Sequence, residues 1–273
     1  MRVIVGAGKV ATVIRKESDV VLSHSDIEIK DFNNVMNRLR EFSGDDVTVI
    51  NTVSKINLEW CETNKIEAYD VNVIGAINVA KVCKELDLRL VHVSSGCIFD
   101  GGETEKLYTE DDEPTPAAWY TKTKAEADSS IVRLNHRKTI IVRPRQLISK
   151  LPYPTNMITK FVSMTSGKFI TSKNSLTCIE DMGDMIDHLI SGEHYGIYNV
   201  ANSGFMSPYD IALRVRSLNP ALIVDSVNYE DYVKTLEVRR VNTLLDLSKL
   251  ASTGYLPRNA ESALNWCIQN YGS

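Results

Sequence analysis

The sequence predicts an α/β fold, a doubly wound parallel sheet carrying a smaller C-terminal lobe. Three observations lead there. Short runs rich in Val, Ile and Leu alternate with helix-length amphipathic segments through the first half of the chain. A glycine-rich turn, Gly6-Ala7-Gly8, follows the first run directly. After Arg143 the prolines Pro144, Pro152 and Pro154 break the rhythm, and the segments become mixed.

Val3-Ile4-Val5 is the first strand, and Val20–Leu22, Val47–Ile50, Leu88–Val93 and Thr139–Val142 follow. Each suits a parallel strand covered on both faces. The segment from Asp31 to Phe42 opens on an acidic N-cap and repeats apolar residues at Phe32, Val35, Met36 and Leu39. Ile66–Leu86 reads as one long amphipathic helix, and Trp119–Leu134 as a third. This alternation implies right-handed crossovers. In the second half, helices are expected at Asn156–Thr165, Glu180–Ser191, Pro208–Leu218 and Asn259–Gln269. Short strands are expected near Phe169-Ile170 and Ile197–Val200.

At 273 residues and 43% hydrophobic content the chain can bury a large core. A net charge of −4 and the lack of a long Lys/Arg run speak against nucleic-acid and anionic-membrane partners. No run reaches the ~20 apolar residues of a membrane span. The start, Met1-Arg2-Val3-Ile4-Val5, shows no signal-peptide layout. The five cysteines, Cys61, Cys83, Cys97, Cys178 and Cys267, are scattered, with no C-x-x-C pair. A disulfide framework and a structural zinc site are therefore not expected. The His residues form no cluster in sequence either, so no metal is expected. The expected class is a reduced, soluble, cytoplasmic enzyme.

Gly6-Ala7-Gly8-Lys9-Val10-Ala11 is G-x-G-x-x-A between a strand and a helix. The first glycine allows a tight turn and the second lets backbone approach a pyrophosphate. The small third residue permits close helix–strand packing. The helix N-terminus offers free N–H groups to the phosphate. This context favours a dinucleotide site in a Rossmann-like domain over an ordinary turn. The second strand runs out as Leu22-Ser23-His24-Ser25, with Asp26 arriving late. Hydroxyls and an imidazole tolerate a 2′-phosphate better than a carboxylate does, so NADP(H) is expected, with NAD(H) as the alternative. Residues 1–144 are expected to form this domain and 145–273 mainly a substrate-binding lobe. A later stretch, about 175–200, should return to the sheet.

Tyr120-Thr121-Lys122-Thr123-Lys124 is Y-x-x-x-K, with phenol and ammonium on one helix face. A tyrosine near pKa 10 needs such a cation to exchange protons at neutral pH. Ser94-Ser95-Gly96-Cys97 follows the fourth strand, at the edge where ligands bind in such sheets. Asn72 interrupts an apolar helix face, so it needs a partner. Together these residues suggest hydride transfer to a carbonyl.

The chain resembles the extended short-chain dehydrogenase/reductases, and within them the dTDP-4-dehydrorhamnose reductase group. It is most similar to the plant-type bifunctional 3,5-epimerase/4-reductases that make UDP-rhamnose. The match is carried by Asn57–Glu62, Val71–Gly75, Gly96–Phe99, Tyr120–Ala125, Asn156–Lys160, Gly196–Asn199 and Arg240–Asn242. The family's G-x-x-G-x-x-G loop is one residue shorter here. The resemblance implies NADPH-dependent reduction of the C4 ketone of a UDP- or dTDP-linked 4-keto-6-deoxyhexose, giving a nucleotide-L-rhamnose type product. Tyr120 would protonate the alkoxide. Lys124 would tune Tyr120 and hold the nicotinamide ribose, and Ser95 would bind the carbonyl oxygen. The candidate cofactor set is Gly6, Gly8, Lys9, Val10, Ser23, Thr52, Asn72, Tyr120 and Lys124. Ser95, Asn156, Lys160 and Arg240 form the candidate substrate set, Arg240 because a guanidinium suits a diphosphate.

The resemblance also assigns an epimerase pair to Cys97 and Lys160. If the backbone is extended from Ser95 to Cys97, both side chains point at the substrate. Otherwise Cys97 is a small buried hydrophobe and Lys160 a surface lysine. Two rival readings stand beside this one. One is a 3-epimerase/4-reductase of a UDP-2-acetamido-2,6-dideoxy-hexulose. The other is a non-catalytic NADP-binding regulatory subunit. The oligomeric state is left open, with a homodimer as the one candidate named.

Overall fold

The computed structural model describes every residue except Ser43, Asp45 and Thr104. The chain runs β1 (Arg2–Val5), α1 (Lys9–Ile14), β2 (Val20–Leu22), α2 (Phe32–Arg40), β3 (Thr48–Asn51), α3 (Leu58–Thr63) and α4 (Lys65–Tyr69). A π turn, Asp70–Gly75, leads into α5 (Ala76–Glu85), β4 (Arg89–Val93), β5 (Leu107–Tyr108), α6 (Trp119–Arg133) and β6 (Thr139–Pro144). Then come β7 (Leu147–Ile148), α7 (Met157–Val162), β8 (Ser166–Ile170), β9 (Thr177–Cys178), α8 (Ile179–Ser191) and β10 (Gly196–Val200). The chain closes with α9 (Pro208–Val215), β11 (Ile223–Val227), α10 (Tyr229–Val233), β12 (Leu244–Leu245), α11 (Ser248–Ser252) and α12 (Ala260–Gln269).

The main sheet has six strands in the order β10-β6-β4-β3-β1-β2, all parallel. Strand order reverses between β1 and β3, which opens a crevice at their carboxyl ends. Alternation along each strand feeds two cores. Val3, Val5, Val49, Leu90 and Ile141 pack with α2, α5 and α6 on one face. Ile4, Ile50, Val91, Ile140 and Val142 pack with α1 and α8 on the other. Continuous apolar strands follow from this double cover.

The expected helix Ile66–Leu86 is broken by the π turn, for a local reason. Buried Asn72 accepts from Lys55 N at 2.7 Å and donates to Lys55 O and Thr123 Oγ1, both at 3.0 Å. A π turn is a common way to aim such a side chain. Asn72 thus ties the loop after β3 to α6. The lobe has its own core, where Ile148, Ile158, Ile211, Leu264 and Cys267 pack together, and its own strand pair, β8 with β11. Among the described residues no helix is long and apolar enough to cross a membrane.

Candidate active site

A cleft of about 590 Å³ lies over the carboxyl ends of β1, β3, β4 and β6. Lys9, Val10, Thr52, Ser95, Arg145 and Gln146 line its sheet side. From the lobe come Lys160 and Phe161 of α7, Lys168 and Phe169 of β8, and the stretch Arg239–Asn242.

Gly6 takes φ +106°, and a Cβ there would lie 2.6 Å from Thr52 Oγ1. Thr52 Oγ1 in turn donates to Val5 O at 3.0 Å. Gly8 precedes α1, and nothing lies within 4 Å of where its Cβ would be. One glycine makes the turn and the other leaves room for a ligand against backbone. Gly6→Ala is expected to cost ~1–2 kcal/mol, read as a lower urea midpoint, and to weaken dinucleotide binding.

Ser23 is not free at the end of β2. Its hydroxyl and N–H donate to Asp26 Oδ2 at 2.6 and 2.8 Å, and these bonds hold the Asp26 carboxyl below its ordinary range.

Ser95 lies just beyond β4 and caps a 3-10 turn, Gly96–Ile98, by accepting from Cys97 N at 3.2 Å. The backbone is therefore not extended at Cys97, contrary to expectation, because the cap curls it. Cys97 lines the cleft all the same. Tyr120 and Lys124 line it from α6. Burial pushes the Tyr120 phenol up and Cys97 adds to that, while Ser95 and Arg145 oppose. Tyr120 is thus a protonated donor at neutral pH. Lys124 Nζ donates to Val93 O at 3.0 Å. Burial lowers its pKa to about 8, with Asp128 opposing. Its charge is present below that value and lost above it. A catalytic role for this ammonium predicts kcat/KM falling as pH rises through about 8, checked by a pH–rate profile.

Lys9 is also lowered to about 8, by burial and then by repulsion from Lys160. Arg240 lines the cleft at its rim and pairs with Glu59. Asn72 and Asn156 do not line it. Asn156 caps α7 by accepting from Ile158 N at 3.2 Å and donates to Leu151 O at 2.9 Å. Both asparagines brace walls that carry other residues.

Sequence reasoning missed Ser94, Arg145, Gln146, Lys168 and Arg239. Ser94 Oγ, Arg145 Nε and Gln146 Oε1 are buried without partners, and all three residues line the cleft. Such orphans are uncommon and call for a partner. The lining is also one-signed. Lys9, Lys124, Arg145, Lys160, Lys168, Arg239 and Arg240 contribute to it, and no carboxylate does among the described residues. A chain of net charge −4 has gathered cations here, so the site suits an anionic ligand.

Away from the cleft, the fold joins two cysteines that sequence spacing left apart. Cys178 Sγ and Cys267 Sγ lie 3.5 Å apart, and Glu180 Oε2 is 3.1 Å from the Cys178 sulfur. Both thiols are free.

A family profile described as the RmlD substrate binding domain matches residues 4–273. A bifunctional dTDP-4-dehydrorhamnose 3,5-epimerase/dTDP-4-dehydrorhamnose reductase of Arabidopsis thaliana is 29% identical over 201 residues, 71% of this chain and 66% of the relative. The chain spans a smaller share, 30%, of a trifunctional Arabidopsis relative that includes UDP-glucose 4,6-dehydratase. Among solved structures, Bacillus anthracis dTDP-4-dehydrorhamnose reductase in complex with NADP superposes with TM-score 0.87 at 22% identity, covering 99% of this chain and 98% of that one. The UDP-rhamnose synthase of Acanthamoeba polyphaga mimivirus gives TM-score 0.86 at 20% identity, covering 99% of both.

Proposed function

The chain belongs to the RmlD substrate-binding domain family, and we propose that it is an NADPH-dependent reductase of the C4 ketone of a nucleotide-linked 4-keto-6-deoxyhexose. The observation that carries this reading is the cationic cleft, free of carboxylates among the described residues, whose wall presents Ser95, Tyr120 and Lys124 together. An anionic sugar nucleotide and a dinucleotide both match that charge. The relatives' names supply the sugar.

The residues present fit the cofactor. Gly6 shapes the turn after β1, Gly8 leaves open space beside backbone, and Lys9 and Thr52 flank it. Bound there, NADPH supplies the hydride for C4. Residues 1–144, with β10 added, would hold it, and the lobe would hold the sugar nucleotide. Ser95 hydrogen-bonds the C4 oxygen, Tyr120 gives that oxygen its proton, and Lys124 steadies the phenolate left behind. Arg240, Lys168 and Lys160 meet the diphosphate and sugar.

The proposal includes a prior epimerisation at C3 and C5. Cys97 removes the proton beside the ketone and Lys160 returns one from the other face. Two assays test the account. Incubation with NADPH and UDP-4-keto-6-deoxyglucose should consume NADPH, and a flat absorbance trace would sink the substrate. Cys97→Ser should abolish solvent deuterium entry at C3 and C5, whereas undiminished exchange would remove the epimerase step. NADPH should show the lower KM of the two nicotinamides. The reverse order would assign the Ser23–Asp26 corner to NADH.

A further inference from the structure

We infer that Arg145 is the positioning residue that keeps Cys97 as a thiolate facing the sugar. The inference rests on the epimerase reading above and names the residue that makes it workable. Arg145 Nη1 lies 3.3 Å from Cys97 Sγ. Its other terminal nitrogen donates to Val241 O, and its backbone N–H donates to Thr177 Oγ1 at 3.0 Å. Gln146, at φ +41°, turns the chain sharply out of β6 just beyond it. The guanidinium is thus fixed at both ends.

A comparison with Arg143, two residues earlier in β6, shows what Arg145 lacks. Arg143 is also buried, and Asp128 Oδ2 neutralises it at 2.9 Å. Arg145 is 9% exposed, its Nε has no partner, and no carboxylate pairs with it among the described residues. A desolvated cation without a counter-charge is costly. The anion placed to serve it is the sulfur at 3.3 Å. Sulfur beside a guanidinium favours the charged, reactive form of a cysteine.

This pairing divides the proton work. Arginine keeps its proton at any working pH, so Arg145 cannot exchange one with the sugar. The Cys97 sulfur lone pair takes the proton from the carbon beside the ketone. The C–H electron pair becomes the C=C bond of an enolate, and the carbonyl pair moves onto O4. The Lys160 ammonium then gives a proton to the opposite face of that carbon, and the enolate collapses back to ketone. Cys97 is left as thiol and Lys160 as amine, and solvent carries the proton from one to the other.

The test is the rate of Cys97 alkylation by iodoacetamide, followed by intact mass. The other four cysteines are buried, so one fast addition is expected, and Cys97→Ser should remove it. Arg145→Gln should slow that addition at pH 7 by about tenfold or more, the effect of losing one close charge. Arg145→Lys should restore most of it. An Arg145→Gln variant that reacts at the wild-type rate, or a lysine variant as slow as the glutamine one, would overturn the inference. If the variants do not fold, the wild-type profile decides. An ordinary thiol of pKa about 8.5 speeds up about fiftyfold between pH 6.5 and 8.5. A rise below tenfold supports the pairing and a larger one refutes it. The epimerase reading fails separately, through persistent deuterium exchange in Cys97→Ser.

Discussion

Tyr120→Phe is expected to lower kcat for ketone reduction by about a thousandfold, within the roughly 10²–10⁴ range of a general acid. The phenol sits in the cleft beside Ser95 and Cys97, and its pKa is pushed up by burial. It therefore holds its proton until charge develops on the sugar oxygen. That oxygen becomes a strong base only in the transition state, so the loss should fall on kcat and leave KM within a few fold. Steady-state kinetics with NADPH and the keto sugar check this. A variant with more than a tenth of wild-type kcat would mean another group protonates C4.

Asp128→Ala should destabilise the protein by ~3–5 kcal/mol. Asp128 and Arg143 are 3% and 4% exposed and bond at 2.9 Å. Arg143 also donates to Glu110 O at 3.1 Å, so this one pair joins α6, β6 and the loop after β5. Removing the carboxylate leaves a buried cation with nothing to neutralise it. Because α6 carries Tyr120 and Lys124, activity at elevated temperature should fall with stability. Urea unfolding measures the loss. Replacing both partners with apolar residues, Asp128→Leu with Arg143→Met, should recover much of it, since the cost lies in the stranded charge.

The sheet was legible because parallel strands covered on both faces must be apolar at every position, as Val3-Ile4-Val5 is. Helix starts were legible where a side chain caps them, as Asp31 and Asn259 do. The π turn was not, since Val71–Gly75 has ordinary helical periodicity and only the distant partners of Asn72 impose the change. Nor was β11. Its Ile223 is 61% exposed and its pairing with β8 is set by the lobe. In the site, Tyr120, Lys124, Ser95 and Cys97 could be singled out because each lies in a short motif at a strand or helix end. Arg145 and Gln146 belong to no motif. Their places depend on a left-handed residue after β6 and on contacts with Cys97 and Val241, far off in sequence. Cys178 and Cys267, 89 residues apart, meet for the same reason.

The central claim is that this cleft delivers hydride to C4 of a keto sugar nucleotide. Its most direct test uses NADPH deuterated at the transferring position, UDP-4-keto-6-deoxyglucose and wild-type protein, with the product read by NMR. The account predicts one deuterium, at C4 of a 6-deoxyhexose nucleotide, at a rate that Tyr120→Phe lowers about a thousandfold. A product carrying no deuterium at C4, or no turnover at all, would contradict it.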